Sequence, residues 1–426
     1  MRLPPSRARP VNRRSFLKRS AVTLGATGLA SATAVELTGG NALGADSASL
    51  ETLERDSLLN RVAYDGPHQP GILQPAAAFA TVAALDCVAA DASQLVLGLQ
   101  ALTVRARQLT QGTTMPDQEV DEPPADSGTL GPVILPDATT VTVAFGATLF
   151  DDRYGLKGKK PVHLAPMEPF ANDDLDPAQT GGDLLIQITA QHRDTVVHTL
   201  RELVRVARAQ FVLRWTVDAF QSADRGPTSR SSRRNLFGFR DGTSNPDTTS
   251  ADDMNRLIWA GSEEPSWAGG GTYQVVRTIR MHVEFWDRVG LREQEDMIGR
   301  TRDTGAPQGG TGEFDDPRFD VDPRGERIQL DAHIRLANPR TPKTDDERIL
   351  RRGYNYHRGI DAAGQLDQGL LFVAFNQNPE RQFKAIQRRL DGEPMVDYIT
   401  PVGGGYFFAP PGTRDGADWI GSGLFG

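Results

Sequence analysis

The chain has 426 residues, 38% of them hydrophobic and 24% charged, with a formal net charge of −8. That length allows two domains with sizeable cores, and the acidic balance speaks against nucleic acid or anionic lipid as a partner. The single cysteine, Cys87, excludes an internal disulfide and any cysteine-based zinc or iron–sulfur centre.

Residues 1–45 differ from the rest. Met1–Arg19 is basic, and the pair Arg13-Arg14 precedes Ser15-Phe16-Leu17-Lys18. A small, weakly apolar run from Ala21 to Ala34 follows, ending in the cleavable pattern Ala32-Thr33-Ala34, with Ala45 a second cut. The run is too short and too mild to span a bilayer. This order reads as a twin-arginine export signal, so the chain is expected in the periplasm, the cell envelope or the exterior. Such export moves proteins that fold first, often around a cofactor. The leader sets seven basic residues against Glu36, so the remainder is more acidic than the whole.

Arg61–Ile72, with its glycines and prolines, reads as a turn that opens the folded body. Ala76–Cys87 reads as a strand that buries Cys87 as an inert thiol. Asp91–Leu109 reads as a helix capped by Asp91. Val141–Gly146 and Leu184–Ile188 are strands, Asp194–Ala207 a helix, and Gln210–Phe220 a closing strand. Between the first helix and the second strand lies Gln111–Thr139, acidic and proline-rich, which reads as a solvated loop. The same β-α-β-β-α-β order recurs. Thr272–Phe285 reads as a strand, Trp286–Ile298 as a helix, Tyr354–Ile360 and Gly369–Phe375 as strands, Glu380–Leu390 as a helix and Tyr398–Phe408 as the last strand. The fold class is therefore α+β, two ferredoxin-like halves of antiparallel sheet. The expected domains are the leader and link 1–45, an N-terminal domain 46–234 and a C-terminal domain 235–426.

About fifty residues separate the helix near Ile298 from the strand at Tyr354. They include the Gly-, Asp- and Pro-rich run Thr304–Arg327 and end with His333 and Arg351. Loops of that length inside a compact domain are usually functional. No two of the seven histidines stand at a zinc spacing. A site with one histidine is what haem permits, because the porphyrin supplies four nitrogens, and His333 beside Ile334 and Leu336 is the best candidate. Taken alone, each histidine is more often structural, Asp241-Gly242 is more often a turn, and Arg351-Arg352 is more often a solvated pair. No serine-nucleophile elbow, Walker loop or dinucleotide fingerprint is present.

Gly238-Phe239-Arg240-Asp241-Gly242 resembles the Gly-x-x-Asp-Gly signature of the dye-decolourising (DyP-type) haem peroxidases. His333, in Ala332-His333-Ile334-Arg335-Leu336-Ala337-Asn338-Pro339-Arg340, is similar to the proximal haem histidine of that family, and Arg351 to its distal arginine. Further likeness runs through Gly66–Ile72, Asp176–Asp183 and Gly403–Phe408, and is strongest to the exported deferrochelatase/peroxidase branch. It covers nearly all of the chain beyond the leader.

The resemblance implies haem b in the C-terminal half, with His333 as the axial ligand to iron and a partner on its other ring nitrogen that the sequence does not identify. It implies that Asp241 takes a proton from hydrogen peroxide and returns it to the leaving oxygen. Arg351 stabilises the negative charge that develops. Gly242, Thr243 and Ser244 would line the distal face, and Asn338, Pro339 and Arg340 the proximal side, with Arg340 pairing a propionate. Some branches carry an asparagine two residues past the distal arginine; here that position is Gly353.

The expected activity is reduction of hydrogen peroxide with oxidation of bulky aromatic donors, together with release of iron from haem with the porphyrin left intact. The implied partners are peroxide, an aromatic donor or haem, proteins of an iron-uptake system and a second copy of the chain. Electrons could leave through Trp259, Trp267, Trp286, Tyr354, Tyr356 or Trp419. A non-catalytic haem carrier is the alternative, and it needs His333 but neither Asp241 nor Arg351.

Overall fold

Two four-stranded blocks, each in the strand order 2-3-1-4, make up the centre of the computed structural model, which describes residues 57–116, 118–223, 225 and 231–426. The expected export signal lies outside the described residues. In the first block β1 (Phe79–Cys87) leads to α1 (Ala92–Gln111), then past a two-residue pair, β2 (Thr113–Thr114) and β3 (Val133–Ile134), to β4 (Thr140–Gly146) and β5 (Leu184–Ala190). Helix α2 (Arg193–Ala207) and β6 (Phe211–Phe220) complete it. Asp91 caps α1 by accepting from Gln94 N at 2.9 Å, which satisfies one of the orphan donors of the first turn. Gly98 lets α1 sit on β6, because a Cβ there would meet the Gln210 and Phe211 side chains at 2.8 Å.

Helix α3 (Ala251–Leu257) follows, then β7 (Thr272–Met281), α4 (Val283–Trp286), α5 (Leu291–Ile298) and α6 (His333–Ala337). After these come β8 (Leu350–Arg351), β9 (Tyr354–Ile360), β10 (Leu366–Asn376), α7 (Phe383–Arg389) and β11 (Ile399–Ala409). The blocks join through β11–β4 on one side and β6–β9 on the other, and β7 also pairs with β10 inside the second block, so the strands run round a closed ring. Each main strand pairing is antiparallel. The ring interior is filled from both halves by Val82, Leu185, Val217, Val276, Val373, Phe375 and Phe407. A second core lies between the first block and its helices, with Leu85, Leu95, Leu99, Ile186 and Leu203. Strands covered on both faces read as nearly continuous apolar runs, which is why they were visible in the sequence.

Around β11, where it meets β7, β4 and the segment leading into β5, the chain approaches itself very closely. Gly181 N donates to Gly404 O at 2.8 Å; a Cβ on Gly146 would lie 1.9 Å from Gly182 O, and one on Gly404 2.0 Å from Val276 O.

Several expectations change. The strand expected to Phe285 ends at Met281, where His282 N turns to donate to Tyr398 O at 2.8 Å. The helix expected over Trp286–Ile298 is two pieces, because Gly290 starts a new helix in extended conformation. Helix α3 was not anticipated, although Ser250 caps it by accepting from Asp253 N. The insert read as a solvated loop is exposed over Asp121–Pro124, but Asp126 is buried and Ser127 bonds His198 Nδ1 at 2.8 Å. Cys87 is buried, and burial pushes its thiol up. No described helix is long and apolar enough to cross a membrane.

Candidate active site

The second block, α6, α7 and the long loop enclose a cavity with about 1540 Å³ of empty space, part of it open to solvent. Concave, mostly apolar clefts with a few convergent polar groups are the usual form of a cofactor site. Its walls are largely apolar, with Phe237, Phe239, Ile279, Ile298, Leu370 and Phe372 among them. Its polar lining includes His333, Asp241 and Arg351.

His333 stands on the first turn of α6, and its Nδ1 lies 2.8 Å from Oε2 of Glu393, which is 3% exposed. A carboxylate can only accept, so in the neutral ring the proton sits on Nδ1 and Nε2 keeps its lone pair. Burial presses the imidazole down, but the charge and hydrogen bond of Glu393 outweigh it and raise its pKa above the ordinary value. Arg351 and Asp241 are near enough to act on the same ring, in opposite directions. Arg389 of α7 fixes the far end of α6, donating to Leu336 O at 2.9 Å and Ala337 O at 3.3 Å.

Across the cavity, Arg351 Nη1 lies 3.1 Å from Asp241 Oδ1, and each side chain remains about a quarter exposed. Asp241 N donates to Arg233 O at 2.9 Å, and Gly242 at φ +99 allows the turn that follows. Thr243 donates to buried Glu313 of the long loop at 3.0 Å. Glu313 also accepts from Ser232 N and faces Arg240 Nε at 3.4 Å. The long loop thus braces the turn that carries Asp241.

Thr243, Ser244 and Asn338 line the same cavity. Gly242 lines a neighbouring cavity that shares Asp241 and Arg351. Pro339 and Arg340 are not among the lining residues of the large cavity; Arg340 reaches Ser244 Oγ at 3.5 Å and Asp316 at 3.8 Å. Among the described residues no group of three or more His, Cys, Asp and Glu could hold a metal ion, so a metal here needs ligands from elsewhere.

Haem fits these surroundings. The cavity offers one imidazole, apolar walls and a cation in need of an anion. Arg300 lines it and is 4% exposed. It donates to Gly305 O and Glu313 O, yet among the described residues it has no carboxylate at ion-pair distance. Burial, with the charge of Arg340, pushes it down to about 10. The Glu313 charge offsets this only in part; a buried cation without a close carboxylate is costly, and a porphyrin carboxylate would relieve it. Sequence reasoning missed Arg300, Glu313 and Glu393. Glu393 has no local signature, since it lies sixty residues from His333 in an ordinary Asp-Gly-Glu-Pro turn.

The pattern described as Dyp-type peroxidase, N-terminal, matches residues 69–221, and Dyp-type peroxidase, C-terminal, matches residues 232–414. The chain is 44% identical over 378 residues to the deferrochelatase of Escherichia coli strain K12, covering 88% of this chain and 89% of that one. It is 42% identical over 373 residues to the deferrochelatase of Yersinia pestis, covering 87% and 86%. Among solved structures, a DyP-type peroxidase from Cellulomonas bogoriensis superposes with a TM-score of 0.77 at 34% identity, over 86% of this chain and 99% of that one. Ferric DtpA from Streptomyces lividans gives 0.77 at 33% identity, over 87% and 99%. Nothing among these relatives supports a non-catalytic carrier. The chain belongs to the DyP-type peroxidase family and is a haem-dependent peroxidase.

Proposed function

We propose that this peroxidase works through His333, Asp241 and Arg351 and that it also releases iron from haem. Haem, when bound, supplies an iron that accepts two electrons' worth of oxidation from peroxide and returns it to donors. His333 is the residue to hold that iron, through the nitrogen that Glu393 leaves unprotonated. Glu393 makes the ring a better electron donor, which favours O–O cleavage. Asp241 takes the proton from one oxygen of peroxide and passes it to the other, so that the leaving oxygen departs as water. Arg351, always charged, stabilises the negative charge on that oxygen and orients Asp241. Arg300 is the residue for a haem carboxylate, with Arg340 nearer the rim.

The observation that carries this reading is the meeting of an imidazole, a carboxylate and a guanidinium around one cavity. In purified protein, His333→Ala should lose the Soret band. Asp241→Asn and Arg351→Leu should keep it and lose peroxide-dependent dye oxidation by about 10²-fold or more. Full activity in both of the latter would overturn the assignment.

The iron-release reading draws on the deferrochelatases at 42–44% identity. Supplying haem and a reductant, then following free protoporphyrin fluorescence, tests it; no fluorescence rejects it. An iron-uptake system would be the partner such an activity serves. Export rests on the order of residues 1–45. Replacing Arg13 and Arg14 by lysine should leave the protein in the cytoplasm.

A further inference from the structure

Strand β8 is only two residues long, and one of them is Arg351. Its outer edge is held by β10, where Arg351 sits opposite Ala374 and Arg352 N donates to Val373 O at 2.8 Å. On the other edge there is no strand. The side chain of Asn245 stands there instead: Arg351 N donates to Asn245 Oδ1 at 2.9 Å, and Asn245 Nδ2 donates to Arg351 O at 2.9 Å. The two bonds fix the orientation of the amide without ambiguity, since one backbone atom can only donate and the other only accept. Asn245 therefore does for Arg351 what a neighbouring peptide does in a sheet.

The same residue closes the turn that carries Asp241. Asn245 N donates to Gly242 O at 3.0 Å, and Pro246, which is buried, restricts Asn245 to extended backbone. One asparagine thus links the backbone under the guanidinium to the turn bearing the carboxylate. Those two groups come from segments 110 positions apart, and besides their own 3.1 Å ion pair the Asn245 amide joins the turn to the β8 backbone.

We propose that Asn245 is a positioning residue for peroxide chemistry: its amide fixes the backbone of Arg351 against the Asp241 turn and so sets the Asp241–Arg351 separation. This rests on the proposed roles of Asp241 and Arg351. Losing the amide leaves β8 paired on one edge only and lets the guanidinium drift from the position where charge develops. Misplacement of about 1 Å costs on the order of 100-fold in rate. Asn245 touches neither cavity ligand nor peroxide in this reading, so the effect must pass through Arg351.

The test is a double-mutant cycle in the haem-loaded enzyme. Asn245→Ala, Arg351→Ala and the double variant are mixed with stoichiometric peroxide, and the rate of the first Soret change is read by stopped flow. Asn245→Ala should slow it about 10- to 100-fold, with the resting Soret band and the KM for the dye unchanged. In the Arg351→Ala background the same substitution should cost less than about twofold. If Asn245→Ala is as fast as wild type while Arg351→Ala is slow, the proposal fails and the distal roles stand. Equal losses in both backgrounds also overturn it, since they mark a general loosening of the fold. A fast Arg351→Ala enzyme removes the distal reading and this proposal with it. Should Asn245→Ala not fold, Asn245→Asp takes its place in the cycle. It keeps the acceptor for Arg351 N and puts a carboxylate oxygen against Arg351 O, so a full rate there is equally fatal.

Discussion

Glu393 Oε2 lies 2.8 Å from His333 Nδ1, across sixty residues of chain, and both residues line the same largely apolar cavity. The carboxylate is buried while the imidazole stays 30% exposed toward the cavity. The pair is therefore arranged as a buried anchor and an available ligand.

Replacing that anchor should weaken the ligand without removing it. Glu393→Gln keeps a hydrogen-bond acceptor but loses the charge, so the imidazole becomes a poorer electron donor. Haem affinity or peroxidase rate should fall about 10- to 100-fold, and the reduction potential of the bound haem should rise. Spectroelectrochemistry reads the second effect directly. An unchanged potential would count against the anchor role.

Arg300 and Arg340 offer a comparison between a buried cation and one near the surface. Arg300→Met should speed haem loss to a competing apoprotein by about 10- to 100-fold, the range expected for a lost hydrogen bond to a charged group. Arg340→Met, at 37% side-chain exposure, should change it much less. The reverse order would return the carboxylate to Arg340.

Asp322 gives the protein an acid limit. The Ile328 N–H, opposed by burial and joined by the N–H groups of Arg327 and Glu326 and the charge of Arg335, holds its carboxyl below the ordinary range. Arg335 belongs to the His333 helix and donates to Asp322 O at 2.6 Å. A carboxylate with a depressed folded value adds stability that is fully present above its ordinary pKa of about 3.9 and lost as pH falls through the folded value. Melting temperature should drop over that window, and Asp322→Asn should flatten the drop. An identical acid limb in the variant would point to other carboxylates.

The close glycine packing around β11 predicts a stability effect. Gly404→Ala drives a methyl into Val276 O at 2.0 Å and also strains a φ of +123, so it should cost about 3 kcal/mol or more. Gly158→Ala, with nothing within 4 Å, should stay within about 0.5 kcal/mol. Urea midpoints for the two variants decide this.

The ferredoxin-like halves were legible because apolar strands such as Leu184–Ala190 and capped helices such as Asp91–Gln111 carry their signals locally. The breaks at His282 and Gly290 were less so, since the strand's end is set by a bond to Tyr398 from the far end of the chain. Asp241, His333 and Arg351 could be singled out by motif and resemblance, and the fold gathers them round one cavity. Glu393, Arg300 and Glu313 could not, because each owes its role to a partner brought close only by folding. Asn245 lies three residues beyond the Gly-x-x-Asp-Gly motif, yet its neighbour is the backbone of Arg351, which no spacing reveals.

The closed ring of strands sets an order of events during synthesis. Its last member, Ile399–Ala409, pairs with both β7 and β4 and supplies Ile399 and Pro401 to the cavity wall. A ribosome that has emitted only the first 398 residues has produced the turn with Asp241, His333 and Arg351, but neither the ring's final link nor that wall. The cofactor is therefore gripped in its finished pocket only after nearly the whole polypeptide is made, and C-terminal truncations that remove this strand should yield colourless protein.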